Sequence, residues 1–239
     1  MKTPFRDPRT GRFTQLPQQL DLNKVKILKH NSVYRVSDLV NRTGPRWPGD
    51  RKTILNDPLY KNTILYDYLS QTLHLPRRGR DLGLFKKILL DHTEKHQYTT
   101  ADPNNLIVHM RLGDVMTMGY INRRNACRGA YRNFYNRFKL DKYSFSKITV
   151  VTALHFGASK LHNRYFYSDE ARDISFKVLK DFEKQSNDVG LEVDIFSSEN
   201  VDADLAYMAS SKFFICGSSK LSAIIQNCLS KDSKILARV

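Results

Sequence analysis

The spacing of apolar positions changes near residue 104, and that change organises the chain. Downstream of it, short apolar runs recur at 106–109, 147–153, 191–196, 213–216 and 233–239. They are rich in Ile, Val, Leu and Phe and are bounded by Gly, Ser, Asn or Asp, which predicts strands buried on both faces of a sheet. Between them the spacing turns helical. Over 168–187, Ile174, Val178, Leu179 and Phe182 share one face. The Ser168-Asp169-Glu170 opening suits a helix N-terminus through capping and the helix dipole, and Val189-Gly190 stops the pattern. Shorter helices are predicted over 202–211 and 219–229. Alternation of this kind predicts a parallel sheet with right-handed crossovers.

Upstream the rhythm is weaker. Residues 24–30 alternate enough for a first strand, and 62–74 and 82–92 carry helical patterns (Leu84, Phe85, Ile88 and Leu89 in the second). Residues 41–50 read as a loop from their Gly and Pro content. Residues 1–22, with Pro4, Pro8 and Pro17, read as an extended, flexible arm. The expected division is an arm over 1–22, a reduced N-terminal α/β region over 23–103, and a Rossmann-type parallel-sheet domain over 104–239. No internal repeat is visible.

Composition adds a charge gradient. Of 239 residues 41% are hydrophobic, enough for a substantial core. The net charge is +15, and it is uneven. Residues 1–100 hold 19 basic and 9 acidic side chains, 101–165 hold 11 and 3, and 166–239 hold 9 and 12. The excess belongs to the first two thirds and attracts polyanions: nucleic acid, anionic lipid or a phosphorylated small molecule. No apolar run approaches a membrane span and no secretory h-region opens the chain. A cytoplasmic setting of a bacterial or virus-encoded kind is therefore expected, unless a targeting segment has been removed. Cys127, Cys216 and Cys228 are far apart without zinc-type spacing, which fits a reducing compartment. Cys216 is expected in the core. His92 and His96 have i,i+4 spacing but no third ligand nearby, so both are expected at a solvated helix end and no metal is expected.

Candidate chemistry concentrates at two strand ends. Leu106-Ile-Val runs into His109-Met-Arg111-Leu-Gly113-Asp114, setting imidazole, guanidinium, glycine and carboxylate at one sheet edge. In open α/β sheets ligands bind outside the carboxyl ends of strands. Arg111 suits a phosphate through its bidentate fork, and Gly113 allows positive φ or close approach. An ordinary strand end with an Arg–Asp pair is the plain alternative. The second is the strand at 213–216, the Gly217-Ser218-Ser219 turn and the following helix. Free N–H groups at such a turn bind anions, with Ser218, Ser219 and Ser222 as hydroxyl donors and Lys220 as charge. A serine capping cluster explains the same residues. Asp202 suits an N-cap, and Asp204 the first turn or the paired N–H donors of a guanine edge.

Taken together, His109-Met-Arg111-Leu-Gly113-Asp114 resembles the His-x-Arg-x-Gly-Asp motif of the fucosyltransferase superfamily, which includes α-1,2-, α-1,6- and protein O-fucosyltransferases. About 90 residues on, the run from Asp204 through Ser219 to Ser222 resembles the last motif of that superfamily. The resemblance spans about residues 104–239. It implies a GT-B-type, inverting, metal-independent glycosyltransferase that moves fucose from GDP-fucose, a co-substrate rather than a cofactor, to a glycan or glycoprotein acceptor. Residues 23–103 would then serve the acceptor side. By position, Arg111 would hold the pyrophosphate and neutralise the departing GDP, and His109 and Gly113 would sit at the donor from the same turn. Asp114 would orient Arg111 or touch the sugar. Ser218, Ser219 and Ser222 would bind phosphate oxygens, and Asp204 would contact guanine. The general base would come from Asp50, Asp57 or Asp114. Two features depart from the pattern: Leu112 stands where the common form has a second basic residue, and the N-terminal glycine-rich opening of the α-1,2 enzymes has no counterpart.

Two other readings use different features. The basic, aromatic stretch 123–139 is a candidate nucleic-acid platform, although a helix with a Tyr/Phe core face and a solvated Arg face accounts for it too. A relative without catalysis that binds glycan or nucleotide is the other. Trp47, between two prolines, fits loop packing or a sugar-stacking face. Nucleic acid is not the expected partner.

Overall fold

A computed structural model describes residues 19–29, 55–56, 58–72, 81–113, 116, 134–156, 169–217 and 220–238. Its centre is a five-stranded, wholly parallel sheet. The strands are β2 (Leu106–His109), β4 (Ile148–Val151), β6 (Val193–Phe196), β7 (Phe213–Cys216) and β8 (Lys234–Arg238), in the order β6-β4-β2-β7-β8. The helices are α1 (Ile64–Thr72), α2 (Leu82–Lys95), the single turn α3 (Phe134–Arg137), α4 (Asp169–Asn187), α5 (Val201–Ala209) and α6 (Lys220–Cys228). The expected parallel α/β, Rossmann-like organisation is present, with element bounds close to those read from the spacing.

Alternate residues of each strand feed two cores. Leu106, Val108 and Ile215 face Ala171, Val178, Leu179 and Phe182 of α4. Ile107, Val151, Phe214 and Cys216 face the other side, under α1, α2, α5 and α6. Both faces of the inner strands β4, β2 and β7 are covered, which is why these read as nearly unbroken apolar runs, while the edge strand β6 alternates buried and partly exposed residues. Each fully buried Leu or Phe contributes about 1.5–3 kcal/mol. The helices of the N-terminal region join this second core directly: α2 lies against α5 and α6. At the other edge, residues 20–26 strap the side of β6. Leu20 is buried, the Leu20 N–H donates to Glu183 Oε1 at 2.7 Å, and Lys24 Nζ sits 2.6 Å from Asp194 Oδ1.

The strands do not stop where the spacing suggested. After Met110 and Arg111 the chain resumes as β3 (Leu112–Gly113), and after Thr152 and Ala153 as β5 (Leu154–Phe156). Leu106, His109 and Leu112 lie opposite Ile148, Val151 and Leu154, a constant offset of 42 residues. The short segments therefore continue β2 and β4 past an interruption, and β1 (Ile27–Lys29) pairs with β5 to make a second, three-stranded parallel sheet in the order β1-β5-β3. Leu112 points into the core and is 1% exposed. A charged residue there would lose its hydration, which accounts physically for an apolar side chain at that position.

The chain runs outward from β2 to β4 and β6, then crosses back to β7 and continues to β8. The direction of winding thus reverses between β2 and β7. In open α/β sheets such a reversal marks the place, outside the carboxyl ends of the two strands, where ligands bind.

Candidate functional site

His109 ends β2 and Gly217 follows β7, so the two candidate strand ends meet at this switch point. His109 is buried, and its backbone continues the ladder through the Met110 N–H, which donates to the Val151 carbonyl at 3.1 Å. The His109 Nδ1 is hydrogen-bonded to Ser222 Oγ, on the third residue of α6 and 1% exposed. A Cβ added at Gly217 would overlap the carbonyl oxygen of His109, with the His109 ring next to it. Glycine is required there for close approach, not for its φ. The β7–α6 unit therefore holds His109 twice, by backbone contact at Gly217 and by the hydroxyl of Ser222.

Arg111 is exposed immediately beyond β2. Gly113 has φ 83°, and its N–H donates to Ser175 Oγ at 3.0 Å. The same hydroxyl donates to the Ala171 carbonyl at 2.7 Å, tying the turn after Arg111 to the first turns of α4. Asp114, Ser218 and Ser219 lie outside the described residues, as do Asp50, Asp57, Cys127 and Trp47. Lys220 opens α6.

Asp204 lies in the first turn of α5, after β6. Its Oδ1 accepts from the Ser198 N–H at 3.1 Å. The residue is half-buried, and the loss of solvent around its carboxyl pushes it up to about 8, against the opposing pull of that N–H. At neutral pH it holds its proton. Asp202 is not the N-cap expected: Asn200 is, accepting from the Asp202 N–H at 2.9 Å. Asn200 precedes the first helical residue, whereas Asp202 is already inside the turn. Asp202 Oδ2 instead accepts from the Ile64 N–H at 3.0 Å, satisfying a donor at the start of α1. Its Oδ1 is buried without a partner among the described residues, and burial raises the carboxyl to about 6.

Two other sequence expectations change. His92 is not solvated. It is 3% exposed, with Nε2 2.6 Å from Asp67 Oδ2 on α1, while His96 is exposed. The spacing of the pair could not show this, because the partner lies 25 residues away across the α1–α2 packing. In the aromatic stretch, Phe134 is buried 4.5 Å from the Phe182 ring, and Tyr135 and Phe138 pack on the same core. In the described part of that stretch Phe134 is spent on the core, while Tyr135 and Phe138 pack against it and stay partly exposed. Cys216 is buried in β7, as expected.

Among the described residues no helix is long and apolar enough to cross a membrane. Compared with family models, with curated proteins and with solved structures, the chain matches none.

Proposed function

We propose that this chain is an inverting, metal-independent glycosyltransferase of the fucosyltransferase type, with a GT-B-derived fold, that transfers fucose from GDP-fucose to a glycan or glycoprotein hydroxyl. The observation that carries the reading is the His109–Ser222 hydrogen bond at the β2/β7 switch point. It joins two motifs 113 residues apart at the edge where a nucleotide diphosphate would bind, with Arg111 exposed beside them.

In the proposed reaction an acceptor oxygen attacks the anomeric carbon from the face opposite the diphosphate. The C–O bond to phosphate breaks, its electron pair leaves with GDP, and a carboxylate takes the acceptor proton. Charge grows on the leaving diphosphate. Arg111 meets it with a planar, permanently charged fork, and N–H groups at the start of α6 add oriented dipoles. Asp204 accounts for base recognition: adjacent N–H donors of guanine favour its ionised form, so donor binding near neutral pH should release a proton.

GDP at about 100 times its Kd is expected to stabilise the wild type by about 2.7 kcal/mol, a rise in Tm of several degrees for a chain of this size. Arg111→Ala should remove most of that rise, measured against the variant's own unliganded Tm. Its transfer rate from GDP-fucose should fall by about 10²–10³, by analogy with the loss of an oxyanion-hole donor. Differential scanning fluorimetry with GDP, UDP and ADP makes the comparison. A wild type indifferent to all three would remove the proposal.

A further inference from the structure

We infer that Ser222 is a positioning residue: its buried hydroxyl fixes the ring of His109 at the switch point, and it serves the proposed donor through that histidine instead of touching phosphate. This rests on the function proposed above for the donor, but the contact itself does not. Ser222 lies on the third residue of α6, where it is 1% exposed and its hydroxyl bonds the Nδ1 of a histidine that is itself 7% exposed. A hydroxyl engaged there is poorly placed to serve as an open phosphate ligand.

The surroundings reinforce the pairing. Gly217 lies against the backbone carbonyl of His109, so the point from which the imidazole projects toward α6 is fixed relative to β7, and the bond to Ser222 limits the swing of the ring about its own torsions. Below it, Cys216 Sγ lies 3.8 Å from the Ser222 carbonyl, and Gln226 Nε2 donates to the same sulfur. Ser222 is thereby held from the strand side and from its own helix. The Ser222 hydroxyl can donate to Nδ1 or accept from it, so the bond fixes the ring plane, and the role the hydroxyl takes settles the tautomer. That is what a side chain beside Arg111 needs if its second nitrogen is to keep one chemical character.

The test reads His109 directly. Long-range ¹H–¹⁵N spectra of the imidazole across pH 5–9, with His109→Gln to assign the signals, are expected to show one dominant tautomer in the wild type. Ser222→Ala should give a tautomer mixture and a displaced titration midpoint, and Ser222→Thr, which keeps the hydroxyl, should restore the wild-type pattern. GDP affinity should fall about tenfold in Ser222→Ala, the loss of one hydrogen bond's worth of order, and recover in Ser222→Thr. An imidazole in Ser222→Ala with wild-type tautomer and titration overturns the inference, and weakened GDP binding alongside it would make Ser222 a direct ligand. Absence of GDP binding by the wild type defeats the functional proposal alone, because the spectra still decide the positioning role.

Discussion

Acidification from pH 8 to pH 5 is expected to stabilise this protein by a few kcal/mol, and Asp204→Asn to remove most of the gain. In the unfolded chain both Asp202 and Asp204 titrate near pH 4 and are charged throughout this window. In the folded chain burial holds Asp204 up to about 8 and Asp202 up to about 6. The folded state therefore binds more protons than the unfolded state between these limits. The stability each group contributes is complete below about pH 4 and is lost as the pH rises through its folded value. One pH unit over which a single extra proton is retained is worth about 1.4 kcal/mol. Asp204 spans the whole window and Asp202 only its lower part, so Asp204 dominates. Lys24 and Cys228 are raised from values already above this window, and Asp194 is lowered from one below it, so none of the three reverses the trend.

Asparagine at 204 can still accept from the Ser198 N–H, and it carries no charge to desolvate. The variant should thus be more stable than the wild type at pH 8, still ahead by about 1.4 kcal/mol at pH 5, and level with it only below about pH 4, with a profile nearly flat above the range where Asp202 titrates, about 6. Urea denaturation at half-unit pH steps measures this directly. Wild-type stability that rises toward pH 8 would exclude the buried, protonated Asp204. Keeping an acid in such a place sacrifices stability at neutral pH, and groups of this kind concentrate at functional sites. Under the proposed function the same substitution should weaken GDP, because an amide presents one acceptor where a carboxylate presents two.

The parts of the fold that were legible are those whose burial is uniform. Ile148–Val151 and Phe213–Cys216 read as strands because both faces are covered, and the one polar residue in them, Thr149, is itself β-branched and suits a strand. β3 and β5 escaped because they are two and three residues long. A segment that short has no period, and only the constant pairing offset shows that it prolongs β2 or β4. The cap of α5 was misplaced because Asn200 and Asp202 are equally good capping residues by type, and only backbone geometry separates them. His92 was misread for want of Asp67, a partner supplied by tertiary packing. At the site the two motifs were legible as chemistry. Their contact was not, since nothing local in Ser222 distinguishes a hydroxyl that bonds His109 from one that faces ligand.

Alanine at Gly217 is expected to cost about 3 kcal/mol or more, lowering Tm by several degrees or preventing a native sheet. β2 is the central strand and β7 one of its two neighbours, in register from Leu106 opposite Phe213 to Val108 opposite Ile215. One residue past β7 the backbone passes against the His109 carbonyl, and an added Cβ would overlap that oxygen. The obstacle is backbone, held in the ladder through Met110 and Val151, so no rotamer change relieves it. Either the end of β7 separates from β2, or α6 tilts away and takes Ser222 from His109. Scanning calorimetry measures the loss, and a Gly217→Ala protein that melts with the wild type would mean the close approach does not exist. A double variant separates the two routes. Should α6 tilt, Gly217→Ala already breaks the His109–Ser222 bond, and adding Ser222→Ala costs little more than the single change. Additive losses would instead place the yielding between β2 and β7, with α6 keeping its hold on the histidine.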